Sequence, residues 1–236
     1  MTRVENEAVW VLHRRPWRES SLLIELFSLQ QGRLAVVAKG ARGARSQWRG
    51  LGEPFIPLRA GWVKRGEMGT LTALEPDGEQ RRLPGRALWC GLYANELLIR
   101  LIGRESPCPD LFLDYTRLLD ELADGQPHAL CLRRFEMALL SELGVVPDLG
   151  HEVLSGDAVV PEGRYHLEPD SGVLPVAESR GGCVSGAALL MLAGLVEPQP
   201  EQAADMRAIA RRLIDHQLDG QVLKTRELFG GQRSPN

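Results

Sequence analysis

Five short apolar runs crowd the first eighty residues, and their spacing limits what this chain can fold into. They lie at residues 8–12, 21–27, 34–38, 55–58 with Trp62-Val63, and 69–74. Each break carries glycine, proline or charge, as at Arg14-Arg15-Pro16, Gln30-Gln31-Gly32 and Lys39-Gly40. Short runs bounded by such breakers read as strands. Pro57 inside the fourth run marks an edge or a bulge, because it donates no ladder hydrogen bond. Five short strands in about eighty residues suit a small closed barrel. An OB-fold and an SH3-like barrel fit this pattern equally, and periodicity does not separate them.

The pattern then changes period. Residues 87–103 are apolar almost throughout, interrupted by Asn95, Glu96 and Arg100. A helix with so little polar face is expected to be buried. Pro109 opens a second helix at the favoured first position. Pro127 opens a third, with Leu132, Phe135, Leu139 and Leu143 on one face and Gly144 as its C-cap. These three are expected to pack as one bundle. Residues 147–183 are rich in glycine and proline and hold short strands such as Arg164-Tyr165-His166-Leu167, which predicts a small β-rich lobe. Ser185 is placed to cap a short helix, a longer one spans residues 201–217, and residues 223–229 make one last helical turn. The fold class is therefore α+β. Residues 1–80 form the barrel domain. Residues 81–236 form a helical domain, with the lobe inserted before the C-terminal helices.

Charge sharpens this division. The whole chain of 236 residues carries a net charge of −3. Residues 1–80 are at +3 and residues 81–236 at −6. A global basic footprint for nucleic acid is absent, so any anion-binding surface must be local. No apolar run reaches the roughly 20 residues of a membrane span, and the N-terminus is polar and acidic, unlike a signal peptide. Four scattered cysteines without a Cys-x-x-Cys pair fit a reducing cytoplasm.

The strongest local signal runs from Arg33 to Arg49. It holds Arg33, Lys39, Arg42, Arg45 and Arg49, with no acidic residue between Glu25 and Glu53. Gly40, Gly43 and Ser46 let a phosphate backbone approach closely, and Trp48 supplies an aromatic face on which a base could stack. The plainer reading is a solvated loop whose Trp48 folds back on the barrel. Arg14, Arg15 and Arg18, with Trp17 between them, either extend the same groove or form a charged hairpin turn. Arg133 either pairs with Glu136 or Glu142 or clamps a partner's carboxylate or phosphate. Lys224 and Arg226 form a second basic pair near the C-terminus.

Enzyme chemistry finds no support. A phosphate loop and a dinucleotide-binding glycine motif are both missing. Ser155 stands where a zinc-protease helix beginning at His151-Glu152 would need its second histidine. No catalytic or metal-ligating residue is assigned, and no cofactor is expected.

Several stretches, in their order along the chain, resemble the RecO family of bacterial DNA repair proteins. They include Arg14-Arg15-Pro16-Trp17-Arg18-Glu19-Ser20-Ser21, Gly32-Arg33-Leu34-Ala35-Val36-Val37-Ala38-Lys39-Gly40-Ala41-Arg42, Tyr93-Ala94-Asn95-Glu96-Leu97-Leu98, Leu132-Arg133-Arg134-Phe135-Glu136 and Leu223-Lys224-Thr225-Arg226-Glu227-Leu228-Phe229. The resemblance implies an N-terminal OB-fold, a central helical domain, and a small lobe that carries zinc in some members. It implies binding of single- and double-stranded DNA, annealing of complementary strands, and RecA loading together with RecR on DNA coated by single-stranded-DNA-binding protein. In some lineages RecF takes part. It also implies engagement of that coating protein's C-terminal tail, and a cytoplasmic protein associated with the nucleoid during repair.

Carried over residue by residue, Arg33, Lys39 and Arg42 inherit a DNA-contact role. Arg45, Trp48 and Arg49 join them by charge or ring rather than by motif. Arg133, Lys224 and Arg226 are assigned to a partner or to DNA. The region around residues 149–156 lacks the expected Cys-x-x-Cys, and Cys183 stands alone, so no zinc is expected. The rival reading is a protein-interaction scaffold whose barrel never touches DNA.

Overall fold

The computed structural model describes residues 1–44, 46–48, 50–176 and 182–230. Contacts divide the chain into two compact units. Residues 1–125 and 223–236 form the first, and residues 126–222 form the second.

The first unit is built on a closed five-stranded barrel. Strands β1 (Thr2–Trp17), β2 (Ser21–Ser28), β3 (Gly32–Ala38), β4 (Leu58–Lys64) and β5 (Gly69–Pro76) close in the order β1-β2-β3-β5-β4. Every pairing is antiparallel except β3 with β5, which run parallel through Val36–Gly69 and Val37–Thr70. This is the Greek-key order of an OB-fold. The closure leaves little room for a side chain at residue 69. A Cβ added to Gly69 would lie 3.0 Å from Val36 Cγ1 and 3.2 Å from Trp62 Cδ1.

Alternate residues fill the barrel: Val9 and Val11, Ile24 and Leu26, Leu34 and Val36, Leu58, Ala60 and Trp62. The intervening residues Trp10, Leu12, Leu23 and Phe27 are buried as well. Trp10, Leu12 and Phe27 meet helices α1 (Arg86–Leu101) and α2 (Pro109–Ala123), which cover this outer face. Burial on both faces explains why these two strands read as continuous apolar runs rather than as alternation.

Buried polar groups fix this docking. Asn95 of α1 is 3% exposed and donates from Nδ2 to the Leu12 carbonyl of β1 at 2.9 Å. Its Oδ1 accepts from the hydroxyl of Tyr115 on α2. Burial pushes that phenol far above its ordinary value, so it is a permanent donor. The Trp10 ring meets Tyr115 edge-on at 5.9 Å, and its Nε1 donates to Thr116 Oγ1 at 3.0 Å.

Strand boundaries differ from the sequence expectation at two places. β1 runs well past residues 8–12, because the polar residues Arg14–Trp17 pair with β2 in a hairpin and Thr2–Val4 pair with β4. Backbone pairing needs no apolar side chain there. Phe55 and Pro57 fall outside β4. Phe55 has φ 68°, and the two carbonyls accept from Arg81 and Asp77 at 2.8 Å each.

The second unit packs α3 (His128–Glu142), α4 (Gly186–Leu192) and α5 (Ala203–Gln217) together. The expected bundle is thus divided: α1 and α2 pack in the first unit, and α3 packs with α4 and α5 in the second. Gly144 ends α3 at φ 69°, and Val145 donates back to Leu140. Ser185 caps α4 by accepting from the Ala188 N–H at 3.3 Å.

The lobe is a three-stranded sheet of β6 (Arg164–Glu168), β7 (Gly172–Pro175) and β8 (Val184–Ser185), in the order β7-β6-β8. Leu149, Val159, Tyr165, Leu167, Val173 and Val184 form its apolar centre. Residues 177–181 of the expected lobe lie outside the described residues. Its donors do not fit a zinc site. Cys183 is its one cysteine, and His166 is engaged by Glu168 at 2.6 Å.

Replacing Asn95 by alanine removes the Leu12 carbonyl's side-chain donor and the acceptor that the Tyr115 hydroxyl uses across the buried layer. The expected loss is about 1–3 kcal/mol of unfolding free energy. It would appear as a lower urea midpoint at unchanged m-value.

Candidate nucleic-acid interface

One end of the barrel gathers the cations. Strands β1 and β2 are joined by residues 18–20, with Trp17 and Ser21 as the last pair. Arg18 sits in the left-handed region at φ 52°. β3 ends at Ala38, opposite Leu22, so Lys39 follows directly beside the hairpin tip. The chain turns at Gly40, φ 68°, and is laced to the tip. Arg42 N donates to the Ser20 carbonyl at 3.0 Å, and Arg42 Nη1 donates to the Glu19 carbonyl at 3.1 Å.

The hairpin and the loop thereby present Arg14, Arg15, Arg18, Lys39 and Arg42 at one end, all exposed. Arg14 is paired with Glu53. The Arg15 guanidinium lies over the Trp17 ring at 5.7 Å. Among the described residues no carboxylate pairs with Arg15, Arg18, Lys39 or Arg42. Arg42 spends its donors on neutral carbonyls and keeps its charge uncompensated. Such a cluster attracts a polyanion, and the half-buried Trp17 offers a flat apolar neighbour.

The other predicted residues are placed differently. Arg33 stands at the opposite end of β3, about 20 Å from Lys39 at the strand rise of ~3.3 Å per residue. It is half-buried and engaged. Nε donates to the Ile102 carbonyl at 2.9 Å, and Nη1 meets Glu25 Oε2 at 3.1 Å. Glu25 Oε1 also takes Arg104 at 2.5 Å. Burial draws the Arg33 guanidinium below its ordinary value, with Arg104 adding to the fall and Glu25 opposing it. Arg33 thus clamps the α1–α2 connection onto β3. Beside it Gly32 is required, since a Cβ there would lie 2.0 Å from the Ser106 carbonyl oxygen.

Trp48 lies in the barrel core rather than at a stacking surface. It is 9% exposed, and its Nε1 donates to the Lys39 carbonyl at 3.3 Å. Its burial fixes the backbone that presents Lys39. Arg45 and Arg49 lie outside the described residues. In the second unit Arg133 is buried and ion-paired with Glu136, Nη2 donating to Oε1 at 2.6 Å and Nε lying 2.5 Å from Oε2. In the first unit Lys224 is exposed and Arg226 is half-buried.

Arg15 and Arg18 belong to this exposed cluster, and the sequence left them undecided. Arg-Arg-Pro-Trp-Arg carried a signal, but the hydrogen bonds from Arg42 that fuse the hairpin to the loop have no local signature.

Among the described residues no group of three or more His, Cys, Asp or Glu side chains could hold a metal. A pocket of about 310 Å³ in the lobe is lined by Asp148, His151 and Ser171 among others. His151 Nδ1 meets Asp148 Oδ2 at 2.9 Å, but no hydrogen bond joins Ser171 to His151, so no activated nucleophile is formed.

Lys39→Ala is expected to weaken oligonucleotide binding with less than about 0.5 kcal/mol change in stability. Arg33→Ala should do the reverse, losing about 1–3 kcal/mol of stability. Trp48→Phe should keep affinity within about threefold, since the ring is not a stacking face. Urea unfolding and fluorescence anisotropy on the same preparations check all three.

The sequence matches two family models, Recombination protein O N terminal over residues 1–77 and Recombination protein O C terminal over residues 83–227. It is similar to DNA repair protein RecO of Methylococcus capsulatus, with 41% identity over 97% of this chain and 94% of that protein. It is 42% identical to the protein of that name from Azoarcus sp., over 96% of each chain. The one from Halorhodospira halophila is also 42% identical, over 99% of this chain and all of that protein.

Proposed function

This chain belongs to the recombination protein O (RecO) family of DNA repair proteins, and on that footing we propose that it is a non-enzymatic DNA-binding mediator. It binds single- and double-stranded DNA, anneals complementary strands, and loads RecA together with RecR on DNA coated by single-stranded-DNA-binding protein. It does so in the cytoplasm, at the nucleoid during repair. The observation that carries this reading is the uncompensated cluster of Arg15, Arg18, Lys39 and Arg42 at one end of the barrel.

The mechanism is electrostatic. Two DNA strands repel through their phosphates, and annealing requires that repulsion to be screened where the strands meet. A compact cation cluster on a rigid barrel end neutralises several phosphates at once and releases their counterions. The net-negative remainder of the chain keeps this attraction local, so DNA meets the barrel end first. Arg45 and Arg49 extend the same basic loop and belong to the proposed contact set. Arg33 supports the site from a distance by holding the barrel to its helices. The acidic tail of the single-stranded-DNA-binding protein needs an apolar groove with a cation at its mouth, and the helical part of the chain is the proposed source. Lys224 and Arg226 are its candidate cations, whereas Arg133 is committed to Glu136. None of these steps calls for turnover.

The test is fluorescence-anisotropy binding to a single-stranded oligonucleotide across a salt series. Four to six phosphate contacts predict a log–log slope of roughly −3 to −4. Replacing Lys39, Arg42, Arg45 and Arg49 together by alanine should flatten that slope and collapse the affinity. A slope near zero in the unaltered protein would instead favour a scaffold that meets only proteins.

A further inference from the structure

Two motifs far apart in sequence meet in the first unit, and neither contributes to the cation cluster at the barrel end. On α1, Glu96 accepts three hydrogen bonds from the C-terminal segment. The donors are Lys224 N at 3.0 Å, Thr225 N at 2.9 Å and Thr225 Oγ1 at 2.7 Å. Leu223 is 1% exposed. Phe229, in the short helix α6 (Arg226–Gly230), meets the rings of Trp89 and Tyr93 edge-on at 6.1 Å each. Burial pushes the Glu96 carboxyl up. Donation from Thr225 and Lys224, with the Arg100 charge, outweighs that and holds it below the usual carboxylate range. One carboxylate and two rings therefore seat the whole segment.

Chain connectivity gives this contact a consequence. Residues 126–222 are an insertion in the first unit, and the chain returns to that unit only at Leu223. Just before the return it turns through Asp219 and Gly220, at φ 45° and 79°. A five-residue helix has no stability of its own. Its hold therefore rests on its contacts with α1, and short segments held this way can open locally without global unfolding.

We propose that residues 223–229 are a releasable clasp, keyed to Glu96 and seated by Phe229 on Trp89 and Tyr93, that anchors the return of the chain from the inserted unit. Closed, it leaves the insertion anchored at both ends. Open, it leaves the insertion anchored at residue 125 alone and uncovers Trp89, Tyr93 and Glu96. The clasp does not depend on DNA binding at the barrel.

Limited trypsin digestion reads the clasp directly, because Lys224 and Arg226 are cleavage sites inside it. Arg65, exposed between β4 and β5, is the internal reference. The readout is the rate of cleavage at Lys224 and Arg226 relative to Arg65, followed by mass spectrometry, so global unfolding does not imitate release. Glu96→Ala keeps a good helix former in α1. It removes the acceptor of all three bonds, and the ratio is expected to rise about tenfold or more. Thr225→Val, which removes one donor from an otherwise similar side chain, should raise it by a smaller factor, and Phe229→Ala should raise it independently of Glu96. The same ratio in the unaltered chain and all three variants, fast or slow, would overturn the clasp.

Discussion

A single buried amide organises the first unit. Asn95 faces outward from α1 into the layer between barrel and helices, where an unpaired polar group is costly. It survives there because β1 offers the Leu12 carbonyl and α2 offers the Tyr115 hydroxyl. Both partners must be in place together, so one residue fixes the position of two helices against one strand. Trp10 and Phe27 add the area around it, meeting Tyr115 and Phe112 ring to ring. The next residue, Glu96, points to a different surface and holds the C-terminal segment. Two adjacent polar residues in an otherwise apolar helix thus serve two separate dockings.

The same division of labour governs the arginines. A chain with net charge −3 and 25 arginines has many cations that are structural. Arg33, Arg59, Arg81 and Arg133 are all ion-paired within the fold. Their charge is largely cancelled at long range. The cations at the hairpin tip and the start of the β3–β4 loop lack such partners among the described residues. The difference lies in what each strand end faces. One end of β3 abuts the α1–α2 connection, and the other abuts a three-residue turn in solvent.

Much of the architecture was legible in the sequence, for physical reasons that can be named. Breakers delimited β2 and β3 but not β1, which runs through Arg14-Arg15-Pro16; Pro109 and Pro127 marked helix starts, Gly144 and Ser185 marked caps, and period-2 burial filled the barrel. Strand order was not legible, because the parallel β3–β5 closure depends on the close approach at Gly69 rather than on periodicity. The division of the helices was not legible either, since α1, α2 and α3 each show only one apolar face to the reader. At the candidate site, charge grouped Lys39 and Arg42 with Arg33 and could not tell exposed, unpaired cations from an ion-paired one. That distinction needed Glu25 and Ile102, which only the fold brings to Arg33. Trp48 shows the same limit. An aromatic residue in a basic loop suggests stacking, and burial in the barrel core removes the exposed face that stacking needs.

The central claim is that DNA meets the barrel at the hairpin end, remote from Arg33. Photo-crosslinking to a single-stranded oligonucleotide, followed by peptide mapping, tests it most directly. Adducts are expected on residues 14–20 and 39–50. Adducts confined to residues 126–222, or centred on Arg33 and Arg104, would contradict it.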